Sequence, residues 1–225
     1  MKTLDQIREF FSDRYRSTSR YWWNFPHAYS VFPDDHAGSL MAQQILRYAI
    51  SRGPGRALDL GSGEGADAIR LARLGWEVEA VELSEVGADK ISKFASEVGV
   101  SVKVHRADLA DFVADELFDL VICNGVLHYV EDKQAACRRI QDMTTPGGVN
   151  AVSLWSDYTP VPECHRVVPT FPDEERGVVV TEYADWSKTL MYFERFRGES
   201  GHNDMPSHVH SYIKLIANKP VGESG

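Results

Sequence analysis

The apolar residues of this chain recur first at helical spacing, then in short blocks separated by helical stretches. Leu4, Ile7 and Phe11 recur three or four apart behind Thr3-Leu-Asp-Gln6, a capping-box spacing that predicts a short helix to about Tyr15. Tyr21-Trp-Trp-Asn-Phe-Pro-His-Ala-Tyr29 fits neither the helical nor the strand period. Met41, Ile45, Tyr48 and Ala49 mark one face of a second helix, which Gly53-Pro54 ends. Beyond it the pattern alternates. Strands are predicted at 57–60, 78–81, 100–104, 118–123 and 149–154, with helices over 66–74, from Ser84 to Gly99, and over 131–143. Four prolines make 157–172 irregular, 173–186 is weakly helical, and two β-rich runs near 188–197 and 208–218 form an antiparallel pair. Strands separated by helices of this length imply a parallel sheet covered on both faces. The expected fold is a doubly wound, mostly parallel α/β sheet of seven strands with an antiparallel edge strand and an N-terminal helical lid. Residues 1–54 are read as the lid segment, 55–219 as the main domain and 220–225 as a flexible tail.

Composition narrows the function more than the fold. A chain of 225 residues with 43% hydrophobic and 25% charged positions suits one globular domain. Its 33 acidic and 24 basic residues give a net charge of −9, and no basic block is present to neutralise a run of phosphates, which disfavours a nucleic-acid substrate. Cys123, Cys137 and Cys164 form no CxxC pair, against a disulfide framework or a structural zinc site. The first residues lack the apolar core of a signal peptide, and no stretch is apolar enough to cross a bilayer. A cytoplasmic monomer or homodimer with no membrane partner is expected.

The chemistry concentrates in Ala57-Leu-Asp-Leu-Gly-Ser-Gly-Glu-Gly65, at the carboxyl end of the first predicted strand, where open α/β sheets bind ligands. Gly61, Gly63 and Gly65 let the backbone turn tightly against a ligand. Glu82 ends the second strand, where a carboxylate accepts both ribose hydroxyls. Asp108 follows the third, within reach of an adenine amino group. Asp59 separates two cofactors. A dinucleotide would set its pyrophosphate near that carboxylate, whereas S-adenosylmethionine brings an ammonium and a sulfonium. A close charge pair is worth about 4 kcal/mol at an effective dielectric of about 20, so the methyl donor is favoured, with S-adenosylhomocysteine as product.

On these residues the chain resembles the class I S-adenosylmethionine-dependent methyltransferases. Leu58-Asp-Leu-Gly-Ser-Gly-Glu-Gly65, Val81-Glu-Leu-Ser84, Ala107-Asp-Leu109, Phe118-Asp-Leu-Val-Ile-Cys-Asn-Gly-Val-Leu-His128 and Pro146-Gly-Gly148 carry the resemblance. It implies that Asp59, Gly61, Ser62, Gly63 and Gly65 surround the methionine part of the donor. Glu82, with Leu83 beside it, would hold the ribose, and Asp108 with Leu109 the adenine. Asn124 and Gly125 would line the transfer point. Within that family Phe11-Ser-Asp-Arg-Tyr15, Gly198-Glu-Ser-Gly-His202 and Tyr212-Ile-Lys-Leu-Ile-Ala-Asn-Lys219 resemble the tellurite-resistance (TehB-like) branch. That branch has a histidine, matched by His202, followed by arginine. Here Asn203 follows. A small oxyanion needs cationic donors, so the expected acceptor is an N, O or S nucleophile of a small organic molecule.

Transfer from a sulfonium is an in-line displacement in which alignment does most of the work. Where the acceptor starts protonated a base is needed, and His128 and His202 are the two candidates. Tyr15 and Arg20 are expected to reach the donor's carboxylate. Tyr21, Trp22, Trp23, Phe25 and Tyr29 read as an aromatic cap over the acceptor, with Tyr129 and Trp155 shaping the same pocket. His208 and His210 share one face of the last strand; with His202 they leave a histidine metal site open, but no fourth ligand is assignable and no metal is assigned. Two other functions stay open: a catalytically silent or rearrangement-catalysing relative, and an NAD-dependent oxidoreductase.

Overall fold

Strands that are apolar on both faces need cover on both sides, and the chain supplies it by alternating strand and helix. In the computed structural model, residues 3–21, 28–200 and 205–222 are described. In order they form α1 (Thr3–Ser17), α2 (Leu40–Arg52), β1 (Arg56–Leu60), α3 (Ala66–Arg73), β2 (Glu77–Glu82), α4 (Glu85–Glu97), β3 (Lys103–Arg106), β4 (Phe118–Asn124), α5 (Lys133–Asp142), β5 (Thr144–Trp155), α6 (Val178–Glu182), β6 (Ser187–Glu199) and β7 (His208–Asn218).

The seven strands lie in the order β3-β2-β1-β4-β5-β7-β6. β1 to β5 run parallel, and β7 lies antiparallel between β5 and β6. Strand order reverses between β1 and β4, so the loops leaving those two strands diverge and open a crevice at their carboxyl ends.

One face of the sheet, with Leu58, Leu60, Val121, Leu154 and Leu215, packs on Cys137 and Ile140 of α5 and Val179 of α6. The other, with Ala57, Leu120, Ile122, Ala151 and Ile216, packs on Met41, Ile45 and Ala49 of α2, Leu71 of α3 and Ile91 of α4. Complete burial of a leucine such as Leu58 or Leu60 contributes about 1.5–3 kcal/mol relative to exposure. α2 is thus one of the layer helices. α1 instead lies over the crevice, joined to α4 by the Ser12–Ser84 hydroxyl pair at 2.8 Å.

Two boundaries differ from the periodicity. The third strand starts at Lys103 rather than Val100, because Gly99 turns to a φ of +74° and the Val100 N–H closes the end of α4 on the Ala95 carbonyl at 3.0 Å. Pro146-Gly-Gly148 lies inside β5 as a bulge: Phe118 pairs with Thr144, but Leu120 pairs with Val149.

Candidate active site

β1 delivers the chain into the crevice at Leu60, and the turn that follows is built on backbone hydrogen bonds. The N–H groups of Gly61 and Ser62 both donate to the Val81 carbonyl of β2, at 2.8 and 3.0 Å. That fold-back needs a φ of +66° at Gly61, and a Cβ there would lie 2.4 Å from Val126 Cγ2. Glycine is required at this position on both counts. Glu64, fully buried between two glycines, turns its carboxylate away from the crevice. It accepts from Lys90 Nζ at 2.7 Å and from the Tyr21 N–H at 2.8 Å.

Four carboxylates stand along the crevice. Asp59 accepts from Ser62 Oγ at 2.7 Å and from the Ala68 N–H at 3.2 Å. Burial first, and the neighbouring Asp67 carboxylate second, push its pKa up to about 7. Asp67 itself receives Arg70 at 2.6 Å and the Asn124 amide at 3.2 Å. Glu82 spans the turn, one oxygen accepting from the Gly63 N–H and the other from the Ser84 N–H, each at 2.8 Å. Burial pushes Glu82 up to about 7 against the pull of those N–H groups. Asp108 follows β3 and accepts from the Ala110 N–H at 3.2 Å with one oxygen.

These groups share a single cavity of about 810 Å³ with a second, aromatic end. That volume holds a nucleoside and a small partner together. Ile7, Phe11 and Tyr15 of α1 cover it, and Phe11 meets Tyr129 edge-on at 5.3 Å. At the far end the Trp155 indole lies between two imidazoles, His128 at 3.9 Å on one face and His210 at 4.4 Å on the other. His128 Nδ1 accepts the Trp155 N–H at 3.3 Å. Its proton therefore sits on Nε2, and burial holds the ring well below the usual histidine range. A neutral ring in this tautomer donates from Nε2, anchors the Trp155 backbone and stacks on its indole; it is a poor proton acceptor. Arg197 and Lys214 bring positive charge to this end, both paired with Glu194.

Most of the residues singled out from sequence meet in this cavity: Tyr15, Tyr21, Asp59, Gly61, Ser62, Gly63, Glu82, Leu83, Asp108, Leu109, Asn124, Gly125, His128, Tyr129 and Trp155 all line it. Three do not. Arg20 turns to Glu97 at 3.3 Å and lies over the rings of Tyr29 and Phe94, because the end of α4 offers both a charge partner and aromatic faces. Tyr29 is buried against Phe94, Ala66 and Ile69. Gly65 caps α3, where a Cβ would press on Ile91 at 2.9 Å. Trp22, Trp23, Phe25 and His202 lie outside the described residues.

Sequence reading passed over Asp67, whose signal was an acid in the first turn of the helix behind the glycine loop. It also missed Ser153, which accepts the Gly125 N–H at 3.1 Å, donates to Asn124 Oδ1 at 2.5 Å, and so fixes the end of β4. His165, Arg197, Glu199 and Tyr212 carry no local signal; strand pairing and the 157–172 connection bring them in.

Residues 58–152 match the family described as methyltransferase domain. The ubiquinone biosynthesis O-methyltransferase of Rickettsia felis is 25% identical over 143 residues, covering 63% of this chain and 59% of that protein. The tRNA 5-carboxymethoxyuridine methyltransferase of Escherichia coli strain K12 is 31% identical over 128 residues, covering 53% of this chain and 48% of that protein. The chain thus spans about half to three fifths of the length of these relatives. TehB from Haemophilus influenzae superposes with a TM-score of 0.70 at 18% identity, over 85% of this chain and 67% of that one. Magnesium protoporphyrin IX methyltransferase from Synechocystis PCC 6803, solved with bound S-adenosylmethionine, superposes with a TM-score of 0.70 at 17% identity, over 97% and 98%. Identities this low show a shared fold. Among the described residues no helix is long and apolar enough to cross a membrane.

Proposed function

We propose that this chain is a class I S-adenosylmethionine-dependent methyltransferase that methylates an N, O or S atom of a small organic molecule, on the match of residues 58–152 to the methyltransferase domain and on the shared fold. One observation carries the reading: a single cavity joins four carboxylates, three at the strand ends and Asp67 in the first turn of α3, to an aromatic chamber covered by α1. Carboxylates suit a cationic nucleoside. A diphosphate seated over the same turn would meet Asp59, Asp67 and Glu82, which speaks against a nicotinamide cofactor. Some 810 Å³, roofed in part by α1, suits a small acceptor better than a polymer.

In this reading the loop from Asp59 to Gly63 holds the methionine part of S-adenosylmethionine, Glu82 the ribose, and Asp108 with Leu109 the adenine. When bound, the donor supplies an activated methyl group on a sulfonium. The chain's own work is alignment and exclusion of water. Asn124 and Gly125, braced by Ser153, shape the junction between the two ends of the cavity. Phe11, Tyr129 and Trp155 provide apolar faces for the acceptor, and His128 fixes Trp155 through the backbone N–H it accepts and the stack on its indole. α1 acts as the lid.

Isotopically labelled S-adenosylmethionine incubated with a metabolite extract, and separately with bulk tRNA, tests this by mass spectrometry. Label in a small molecule, with S-adenosylhomocysteine released, is the expected result. Label only in RNA would move the acceptor class. Binding without any S-adenosylhomocysteine formation would point to a silent relative.

Donor affinity should also follow pH. A cationic ligand favours ionised Asp59 and Glu82, both poised at about 7. Lowering the pH from 7.5 to 6 is expected to weaken binding about eightfold for each group that must ionise, read by calorimetry. In the ligand-free protein the sign reverses. The unfolded chain releases these protons near pH 4 and the folded chain near 7, so stability contributed below about pH 4 is lost as pH rises toward 7.

A further inference from the structure

The aromatic end of the cavity holds a group of side chains that this scheme leaves unused. His208 and His210 stand two positions apart on β7 and so share a face. In the antiparallel ladder Glu199 of β6 is directly opposite His208, and Arg197 is opposite His210. Local register therefore gathers two imidazoles and a carboxylate. One ligand atom from each of Glu199, His208 and His210 lies within 4.8 Å of the other two.

The orientation of His208 is informative. Its Nδ1 is 2.7 Å from the Pro206 carbonyl oxygen, which can only accept, so Nδ1 carries the proton. Its Nε2 then faces Glu199 Oε2 at 3.4 Å and His165 Nε2 at 3.3 Å. A backbone carbonyl fixing the tautomer of a histidine is the usual outer support of a metal ligand. The 3.4 Å between His208 Nε2 and Glu199 Oε2 matches one tetrahedral edge, since bonds of about 2.0–2.1 Å at tetrahedral angles set donor atoms about 3.3–3.4 Å apart.

We propose that Glu199, His208 and His210 bind a divalent first-row transition-metal ion of the zinc type. Two imidazoles and a carboxylate are the donor set such ions take when a coordination position is kept open for a further ligand. Glu199 and His210 line the cavity, so that position faces the acceptor chamber. Tyr212 Oη donates to the other Glu199 oxygen at 3.0 Å and orients the carboxylate. The charged groups nearest on the same strands, Arg197 and Lys214, are both turned to Glu194. Cys164 and His165 form a second possible triad around His208, which the experiment separates from the first.

The test needs neither methyl donor nor acceptor, so it stands apart from the methyl-transfer reading. The full chain, stripped with chelator, is titrated with Zn²⁺ by calorimetry and with Co²⁺ by visible absorption. One ion per chain is expected, with a tetrahedral cobalt spectrum and no thiolate-to-cobalt charge-transfer band. Glu199→Gln and His208→Ala should each weaken binding by roughly tenfold or more. His105→Ala, at a part-buried pair with Glu79 between β2 and β3, should not. Glu199→Gln preserves shape at a half-exposed position, which guards against a result that reports only misfolding. Absence of saturable binding, wild-type affinity in Glu199→Gln and His208→Ala, or a thiolate band that Cys164→Ser abolishes would each overturn the assignment.

Discussion

Replacing Glu82 by alanine is expected to raise the dissociation constant for S-adenosylmethionine about 100-fold, measured by calorimetry on protein shown by circular dichroism to be folded. The carboxylate bridges the loop after β1 and the start of α4, accepting from the Gly63 and Ser84 N–H groups at 2.8 Å each. Alanine leaves two buried donors without this acceptor, at about 1–3 kcal/mol apiece, part of which appears as disorder in the turn proposed to hold the ligand. The proposed ribose contacts are lost as well. Each 1.4 kcal/mol is about tenfold in affinity, so a hundredfold loss is a conservative sum. Glu82→Gln separates shape from charge: it keeps one acceptor oxygen and should weaken binding about tenfold. Unchanged affinity in both variants would show that the donor does not use this slot.

Gly61→Ala is expected to lower folding stability by about 3 kcal/mol in chemical denaturation. Two costs add: about 1–2 kcal/mol for an L-residue in the left-handed region, and about 1–3 kcal/mol for forcing Val126 aside. The new Cβ would stand 2.4 Å from Val126 Cγ2 and 3.0 Å from Cγ1, so the isopropyl group blocks it with both methyls. Val126→Ala in the same chain should recover the second cost and leave the first. The double variant is thus expected to be more stable than the sum of the single effects by about 1–2 kcal/mol. Strict additivity would mean that the loop and the residue after β4 do not meet as described.

The donor end was legible in the sequence because its parts are local. Asp59, Glu82 and Asp108 each end a strand, and a parallel sheet brings strand ends to one edge without further information. Sheet composition was legible for the same reason: buried strands show as apolar blocks. Boundaries failed where backbone hydrogen bonds outrank side-chain pattern, as at Val100, whose N–H is taken by the end of α4. The acceptor end was nearly illegible. Glu199 and His208 are brought together by a ladder between two runs whose register no local pattern announces. Arg20 misled because a cation near the cavity in sequence found a nearer carboxylate in Glu97.

Glu64 has a consequence for the order of events. It sits within the loop proposed to receive the donor, yet its side chain fastens the Tyr21 backbone and Lys90, and Lys90 in turn holds the Thr18 carbonyl at 2.8 Å. The tether makes the floor of the nucleoside half and the hinge of the roof one mechanical piece. Loading the floor should stiffen the roof before a second molecule arrives, giving compulsory-order kinetics with the nucleoside first in and last out. Cutting the tether with Glu64→Gln should loosen that order toward random, visible as inhibition by the methylated product that changes from noncompetitive to competitive against the acceptor.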